Sequence, residues 1–193
     1  MTRRSLLVVG FGAFPGHHVN PSQMAAQALA RRRAAFALAG VDLHVEILPV
    51  EYFDLSRRLS RMFAWTSPDA VLLLGVAARR TILTVETRAR NRVTLLRADA
   101  ARQLAWSRDI AHGAPEFFPS PAPAARLAAL ARRAGVPAGL SHDAGTYICN
   151  EALYLSLLMD RRAAFVHLPD WRGVQLAKAT RALETMAKAL VLS

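Results

Sequence analysis

The sequence contains a single cysteine, Cys149, among 193 residues. One cysteine cannot form an intramolecular disulfide, and it cannot supply a metal site built from several thiolates. We therefore expect a protein of a reducing compartment, the cytoplasm, with no disulfide framework, no metal centre and no cofactor.

Long apolar runs are also missing, because nowhere do 18 apolar residues follow one another. This argues against a membrane span, so we expect no membrane partner. The apolar stretch within residues 1–14 follows two arginines, as in a secretory signal, but glycines and Pro15 interrupt it, and we interpret it as a first buried strand. With 53% hydrophobic and only 20% charged residues, the chain is too apolar for a disordered protein, and its length suits one domain over residues 1–193.

Lysine is nearly absent as well, since only Lys178 and Lys188 stand among 25 basic residues, and the net charge is +11. Arginine pairs well with phosphate, so such a charge raises the hypothesis of a nucleic-acid partner. An arginine-rich composition spread over an ordinary enzyme surface explains the same count, and we do not expect nucleic-acid binding. The excess is local, because residues 79–108 carry eight arginines against Glu86 and Asp99, a net +6.

Patterns typical of strands and helices alternate along the chain. Strands are predicted at 5–9, 41–50, 69–74, 81–93, 139–143 and 164–168, helices at 20–39, 52–65, 123–133, 150–159 and 174–192, and a proline-rich loop at 111–123. This alternation predicts an α/β fold, a three-layer α/β/α sandwich around a largely parallel or mixed sheet.

Ligands of such sheets bind beyond the carboxyl ends of strands, so residues at these ends are the first candidates for chemistry. Cys149 stands at a turn before a predicted helix, where backbone N–H groups favour the nucleophilic thiolate. His167 stands near a strand end and suits a general base, and Glu86 is a carboxylate that could orient it. The alternatives are an inert core cysteine, a core histidine, and a surface ion pair of Glu86 with Arg88.

The loop at residues 10–16 has its glycines in the order GxGxxxG, a weak match to a phosphate-binding loop. Phe11 and Phe14 in this loop could instead form the walls of a small apolar pocket, or only pack the loop onto the domain.

Several separated motifs together resemble the pyroglutamyl peptidase I family of cysteine peptidases. They are GFGAFPG at 10–16 with NPS at 20–22, GVAARRTILTVETRARN at 75–91, AGTYICN at 144–150 and FVHLP at 165–169. The resemblance places Glu86, Cys149 and His167 on the catalytic glutamate, cysteine and histidine of the family, in the same order along the chain. It implies a thiol peptidase that removes an N-terminal pyroglutamyl residue, or a similar uncharged one, through an acyl-enzyme.

The same resemblance assigns further site residues. Backbone N–H groups near Cys149, with Arg80 as a further donor, would bind the oxyanion. The flat lactam ring of a peptide with a blocked N-terminus would lie against Phe11, Phe14, Tyr147 and Ile148. A homo-oligomer is compatible with this reading.

The chain departs from the family pattern at residues that bear on substrate recognition. Val76 stands where the family commonly has a glutamine near the lactam, and arginines follow Asn91 where the family tends to be acidic. We therefore expect retained catalytic machinery, whereas the sequence does not assure pyroglutamyl specificity. The alternative is a binding or regulatory protein on the same fold, weakened in catalysis, whose arginine-rich surface serves an anionic partner.

Overall fold

The computed structural model describes residues 3–159 and 161–193. Its strands are β1 (Arg4–Phe11), β2 (Val41–Leu48), β3 (Ala70–Val76), β4 (Leu83–Glu86), β5 (Arg88–Arg90), β6 (Phe117–Pro119), β7 (Ala138–Ser141) and β8 (Ala163–Leu168). Its helices are α1 (Pro21–Ala30), α2 (Arg33–Leu38), α3 (Leu55–Thr66), α4 (Ala124–Arg133), α5 (Ile148–Leu158) and α6 (Gly173–Leu192).

Within these ranges, six strands form a mixed sheet in the order β2-β1-β3-β8-β4-β7. The first four strands of that order are mutually parallel, whereas β4 runs antiparallel to β8 and parallel to β7. The central strands β1, β3 and β8 are almost entirely buried, which suits their continuous apolar sequences. Because β4 is reversed, its first residues lie beside the last residues of β8.

Helices cover both faces of this sheet, so the predicted three-layer α/β/α sandwich with a mixed sheet is confirmed. One hydrophobic core joins the sheet to α1, α2, α4 and α6, and the other joins it to α3 and α5. Leu83 and Val85 of β4 belong to the first core, which leaves the alternate residues of that strand facing the second. Among the described residues, no helix is long and apolar enough to cross a membrane.

The loop after β1 is fixed by two buried polar side chains. Asn20 Oδ1 accepts from the amide of Ser22 at 3.0 Å and caps α1, while its Nδ2 donates to the carbonyl of Gly12 at 2.8 Å. Ser22 Oγ in turn accepts from the amide of Phe11 at 3.1 Å. The sequence Asn-Pro-Ser thus starts a helix and holds the phenylalanine-bearing loop at once.

Three local predictions were wrong. The helix predicted over 20–39 is two helices, because the chain turns at Arg31 and Arg32 between α1 and α2. The strand predicted over 81–93 is interrupted at Thr87, whose amide bonds to the carbonyl of Ser141, and it ends at Arg90. The predicted loop over 111–123 contains β6, which pairs with β5 in a separate ribbon.

Candidate active site

His167 and Glu86 lie on adjacent antiparallel strands and are hydrogen bonded to each other. Thr84 pairs directly with His167 across β4 and β8, so Glu86, two residues along β4, faces the same side of the sheet. His167 Nδ1 lies 2.8 Å from Glu86 Oε1, and both side chains are buried. The other ring nitrogen, Nε2, makes no hydrogen bond within the part of the chain that the structure describes.

The Glu86 carboxylate is also paired with Arg80. Arg80 Nη1 lies 2.5 Å from the same Oε1 atom and also contacts Thr84 Oγ1, while Nη2 donates to the carbonyl of Asp143 at 2.8 Å. The alternative reading of Glu86 as a surface partner of Arg88 is wrong, because the Glu86 side chain is fully buried and Arg80 compensates its charge.

Cys149 is the second residue of α5 and lies directly against β3. A methyl group at Gly75 would come within 2.9 Å of Cys149 Sγ and within 2.6 Å of the Phe165 ring, so only glycine leaves room for the thiol. Gly75 pairs with His167 across β3 and β8, which places the thiol over the strand pair that carries the imidazole. Gly145, at a φ of +83°, makes the turn that leads into α5.

A cavity of about 670 Å³ opens above these strand ends. Cys149, His167, Arg80, Phe11, Phe14, Tyr147 and Ile148 all line it. The structure therefore brings together seven of the eight residues that the sequence singled out. The eighth, Glu86, lies behind His167, away from the cavity wall. Val50 and Val76 add apolar surface to the same cavity, whereas Arg79, Arg97 and Asp143 add charged groups. Its lining thus combines apolar and aromatic side chains with charged ones around one thiol and one imidazole.

The family model for pyroglutamyl peptidase matches residues 4–191, nearly the whole chain. The chain belongs to the pyroglutamyl peptidase family. Among curated family members, the pyrrolidone-carboxylate peptidase of Thermococcus onnurineus is 33% identical over 192 residues, which cover 95% of this chain and 94% of that one. The pyroglutamyl-peptidase 1 of Mus musculus is 33% identical over 190 residues, covering 94% and 88% of the two chains.

Solved structures of pyroglutamyl peptidases share the fold. That of pyroglutamyl peptidase I from Bacillus amyloliquefaciens is similar with a TM-score of 0.87 at 26% identity, covering 99% of this chain and 98% of the other. The pyrrolidone carboxyl peptidase from Thermus thermophilus gives a TM-score of 0.83 at 32% identity, with 97% and 98% covered. The suspected resemblance to the family and the α/β fold it implied are thus confirmed.

Opposing effects set the charges of the buried pair in this family member. Burial alone would raise the pKa of the Glu86 carboxyl, but the hydrogen bonds and charges of His167 and Arg80 outweigh it and lower that pKa. Burial lowers the pKa of His167 more than Glu86 raises it. At neutral pH the pair is therefore a carboxylate and a neutral imidazole, which leaves one imidazole nitrogen able to accept a proton.

The thiol differs from what its helix position predicted. Burial raises the pKa of Cys149 from 9.0 to about 12, although the charges of Arg97 and Arg80 act in the lowering direction. The first-turn N–H groups of α5 have no acceptor inside the helix and remain available to a ligand. Cys149 is thus a neutral thiol at rest.

Two residues of the site received no individual role from the sequence. Asn150 is fully buried, accepts from the amide of Arg90 and donates to the carbonyls of Arg90 and Arg92, and so ties the start of α5 to the chain after β5. Arg97 lines the cavity with its guanidinium 4.2 Å from the centre of the Tyr147 ring. Asn150 belongs to the AGTYICN motif, and Arg97 belongs to the arginine-rich segment 79–108. The sequence pattern therefore marked both regions, although it did not indicate what either side chain contacts.

Among the described residues, no three or more histidine, cysteine, aspartate and glutamate side chains are placed to hold a metal ion together.

The neutral resting thiol generates a prediction that uses the single cysteine of the chain. Because the thiolate is the reactive form, the rate of alkylation of Cys149 by iodoacetamide should keep rising, about tenfold per pH unit, from roughly pH 7 to pH 10. Intact mass after timed exposure measures the rate without interference, because no other cysteine is present. The control is a short peptide with blocked termini and one cysteine, whose rate should level off above the ordinary cysteine pKa of about 8.5. A plateau for Cys149 below about pH 8 would show a preformed thiolate and contradict this reading.

Proposed function

We propose that this chain is a cysteine exopeptidase that removes an N-terminal pyroglutamyl residue from peptides. The observation that carries the proposal is that Cys149 and His167 line one cavity while Glu86 holds the imidazole from behind at 2.8 Å. Family membership supports the same activity, since the curated relatives carry the names pyrrolidone-carboxylate peptidase and pyroglutamyl-peptidase. Its partner is then a peptide substrate with a blocked N-terminus.

In the first half of the reaction, His167 Nε2 takes the thiol proton while Cys149 Sγ attacks the carbonyl carbon of the pyroglutamyl residue. The charge that develops on the carbonyl oxygen is stabilised by free amide N–H groups at the start of α5. The imidazolium then gives its proton to the departing peptide amine as the C–N bond breaks, which leaves a thioester on Cys149.

In the second half, water attacks the thioester carbonyl and gives a proton to His167. Collapse of this intermediate releases pyroglutamate, and the imidazolium returns its proton to the sulfur. In each half of the reaction the His167 imidazole is neutral at the start, and it is positively charged between the attack on the carbonyl and the collapse of the intermediate. A fixed carboxylate at Nδ1 therefore stabilises the charged stage, so Glu86 is a positioning residue that also offsets charge.

In this proposal Arg80 binds and positions the Glu86 carboxylate. Its guanidinium is already engaged by Glu86, Thr84 and the carbonyl of Asp143, which favours a positioning role over that of an oxyanion donor. The oxyanion is then left to the backbone N–H groups of α5.

Phe11, Phe14, Tyr147 and Ile148 are assigned to the substrate ring. A pyroglutamyl residue is a flat, uncharged lactam, and an aromatic and aliphatic wall accepts such a ring with little desolvation cost. A charged N-terminal amine against the same rings would lose its hydration without gaining hydrogen bonds from them. The requirement for a free thiol also supports action in the cytoplasm, where thiols stay reduced.

The proposal predicts turnover of a pyroglutamyl-linked fluorogenic amide and its loss in Cys149→Ala. Removing the nucleophile should lower kcat by roughly 10³-fold or more, because the thioester can no longer form. The matched control substrate is an alanyl amide with the same leaving group. The wild-type chain should hydrolyse this substrate poorly. An inactive wild-type chain, or Cys149→Ala retaining full turnover, would overturn the proposal.

Val76, the last residue of β3, generates a second prediction. It lines the cavity where a glutamine amide would offer a hydrogen bond to the lactam, and an unmatched buried amide costs about 1–3 kcal/mol. Val76→Gln should therefore raise kcat/KM for the pyroglutamyl amide about tenfold. Val76→Leu is the control, since it changes volume without adding a polar group, and it should bring no gain. An unchanged or lower kcat/KM in Val76→Gln would show that Val76 does not limit recognition.

A further inference from the structure

The arginine-rich segment forms a second hollow at the entrance of the catalytic cavity. This hollow, which we call the arginine vestibule, measures about 540 Å³ and is lined by Phe14, His17, Val76, Ala77, Ala78, Arg79, Arg80 and Arg97. All but His17 and Ala78 also line the catalytic cavity, so the two spaces are continuous. The vestibule has three arginines and no carboxylate among these lining residues.

Only one of its three positive charges is compensated within the described chain. Arg80 is paired with Glu86, as described above. Arg79 and Arg97 form no ion pair with any described carboxylate, and both are exposed. The guanidinium of Arg97 is held instead by aromatic rings, 4.2 Å from the centre of Tyr147 and 5.9 Å from that of Phe14. An arginine stacked in this way keeps its N–H groups directed outward and available to an anion.

The positive surface continues on the other side of the cavity. A third hollow of about 460 Å³ shares Thr94 and Thr146 with the catalytic cavity. The lining of this third hollow includes Arg90, Arg92 and Arg108 and no carboxylate. Arg90 is partly compensated, because its Nη2 lies 3.4 Å from Asp143 Oδ1. A chain that leaves the catalytic cavity by either side therefore passes arginine side chains.

The geometry of an exopeptidase decides what meets these charges. If the pyroglutamyl ring occupies the cavity beside Cys149, every residue after the scissile bond must extend outward, and the hollows continuous with that cavity receive it. We propose that Arg79 and Arg97 make the enzyme prefer peptides that carry a carboxylate in this leaving part. This inference rests on the proposed function and names its substrate class. The carboxylate comes either from an acidic side chain after the pyroglutamyl residue or from the C-terminus of a short peptide.

The preference acts on binding more than on chemistry. A carboxylate two or more bonds beyond the reacting carbonyl pairs with the arginines equally in the ground state and in the transition state, so KM falls and kcat changes little. Since the pairs are exposed to solvent, salt should screen them, with a Debye length of about 10 Å at 0.1 M.

The test compares four peptides: pGlu-Glu-Ala-NH₂, pGlu-Gln-Ala-NH₂, pGlu-Lys-Ala-NH₂ and the free acid pGlu-Gln-Ala-OH. At low salt, kcat/KM should be roughly tenfold higher for the Glu peptide than for the Gln peptide, and lowest for the Lys peptide. The free acid distinguishes the two sources, because a rate above that of the amidated Gln peptide shows that a terminal carboxylate suffices. Raising the salt to about 0.3 M should bring all rates together.

Charge-removing variants locate the effect. In the double variant Arg79→Gln, Arg97→Gln, the ratio of kcat/KM for the Glu peptide to kcat/KM for the Gln peptide should fall to near one. This fall should come mainly from a higher KM for the Glu peptide. Arg133→Gln removes the same charge from the exposed end of α4, which packs on the opposite face of the sheet, and should keep the wild-type ratio. Arg79→Gln alone serves if the double variant folds poorly, because the Arg79 side chain makes no hydrogen bond or ion pair to a described residue.

The outcomes separate this inference from the function on which it rests. If the wild-type chain cleaves neither the Glu peptide nor the free acid better than the amidated Gln peptide, or if the vestibule variants keep the wild-type ratios, the preference is overturned while the peptidase activity stands. If no peptide is cleaved, both the activity and the preference are overturned.

Discussion

The structure depends on one buried charge, the Glu86 carboxylate. A carboxylate without access to water is costly unless a positive charge and hydrogen bonds accompany it, and here Arg80 and His167 both meet its Oε1 atom. In the antiparallel pairing of β4 with β8, Thr84 lies opposite His167, so Glu86 lies two residues along β4 on the same face of the sheet as the imidazole.

A second constraint is the close approach of α5 to the sheet. Gly75 leaves a space that the sulfur of Cys149 fills, and the same packing removes water from the thiol and keeps it neutral. Reactivity in the proposed mechanism therefore does not reside in the cysteine alone. It arises when the imidazole takes the proton, and the buried carboxylate stabilises the imidazolium that results.

Much of this could be predicted from sequence, because the signals were local or motif-like. Strands β1, β3 and β8 are short apolar runs at or near glycine or proline, and the Asn-Pro-Ser start of α1 is a capping pattern. The residues expected at the site gather around one cavity for the same reason, since each follows or ends a strand. The environment of Glu86 was missed. Thr84, Glu86 and Arg88 alternate as if all faced solvent, whereas Thr84 and Glu86 are buried. The compensating Arg80 lies outside that alternation.

The other misses also involve contacts between distant parts of the chain. The prolines around Phe117 indicated a loop, yet β6 pairs with β5, where the Arg88 guanidinium lies 4.7 Å from the centre of the Phe117 ring. No proline or glycine marks the turn at Arg31 and Arg32. The arginines of residues 79–108 were visible as a count, but only the fold separates Arg80, which neutralises a buried carboxylate, from Arg79 and Arg97, which face the open vestibule.

The central claim is that Glu86 fixes His167 as a neutral imidazole with its proton on Nδ1. The most direct test is the ¹⁵N chemical shifts of the His167 ring at pH 7, assigned among the six histidines by comparison with His167→Gln. We expect a protonated Nδ1 and an unprotonated Nε2. A ring protonated on Nε2 alone, or an imidazolium at that pH, would contradict it.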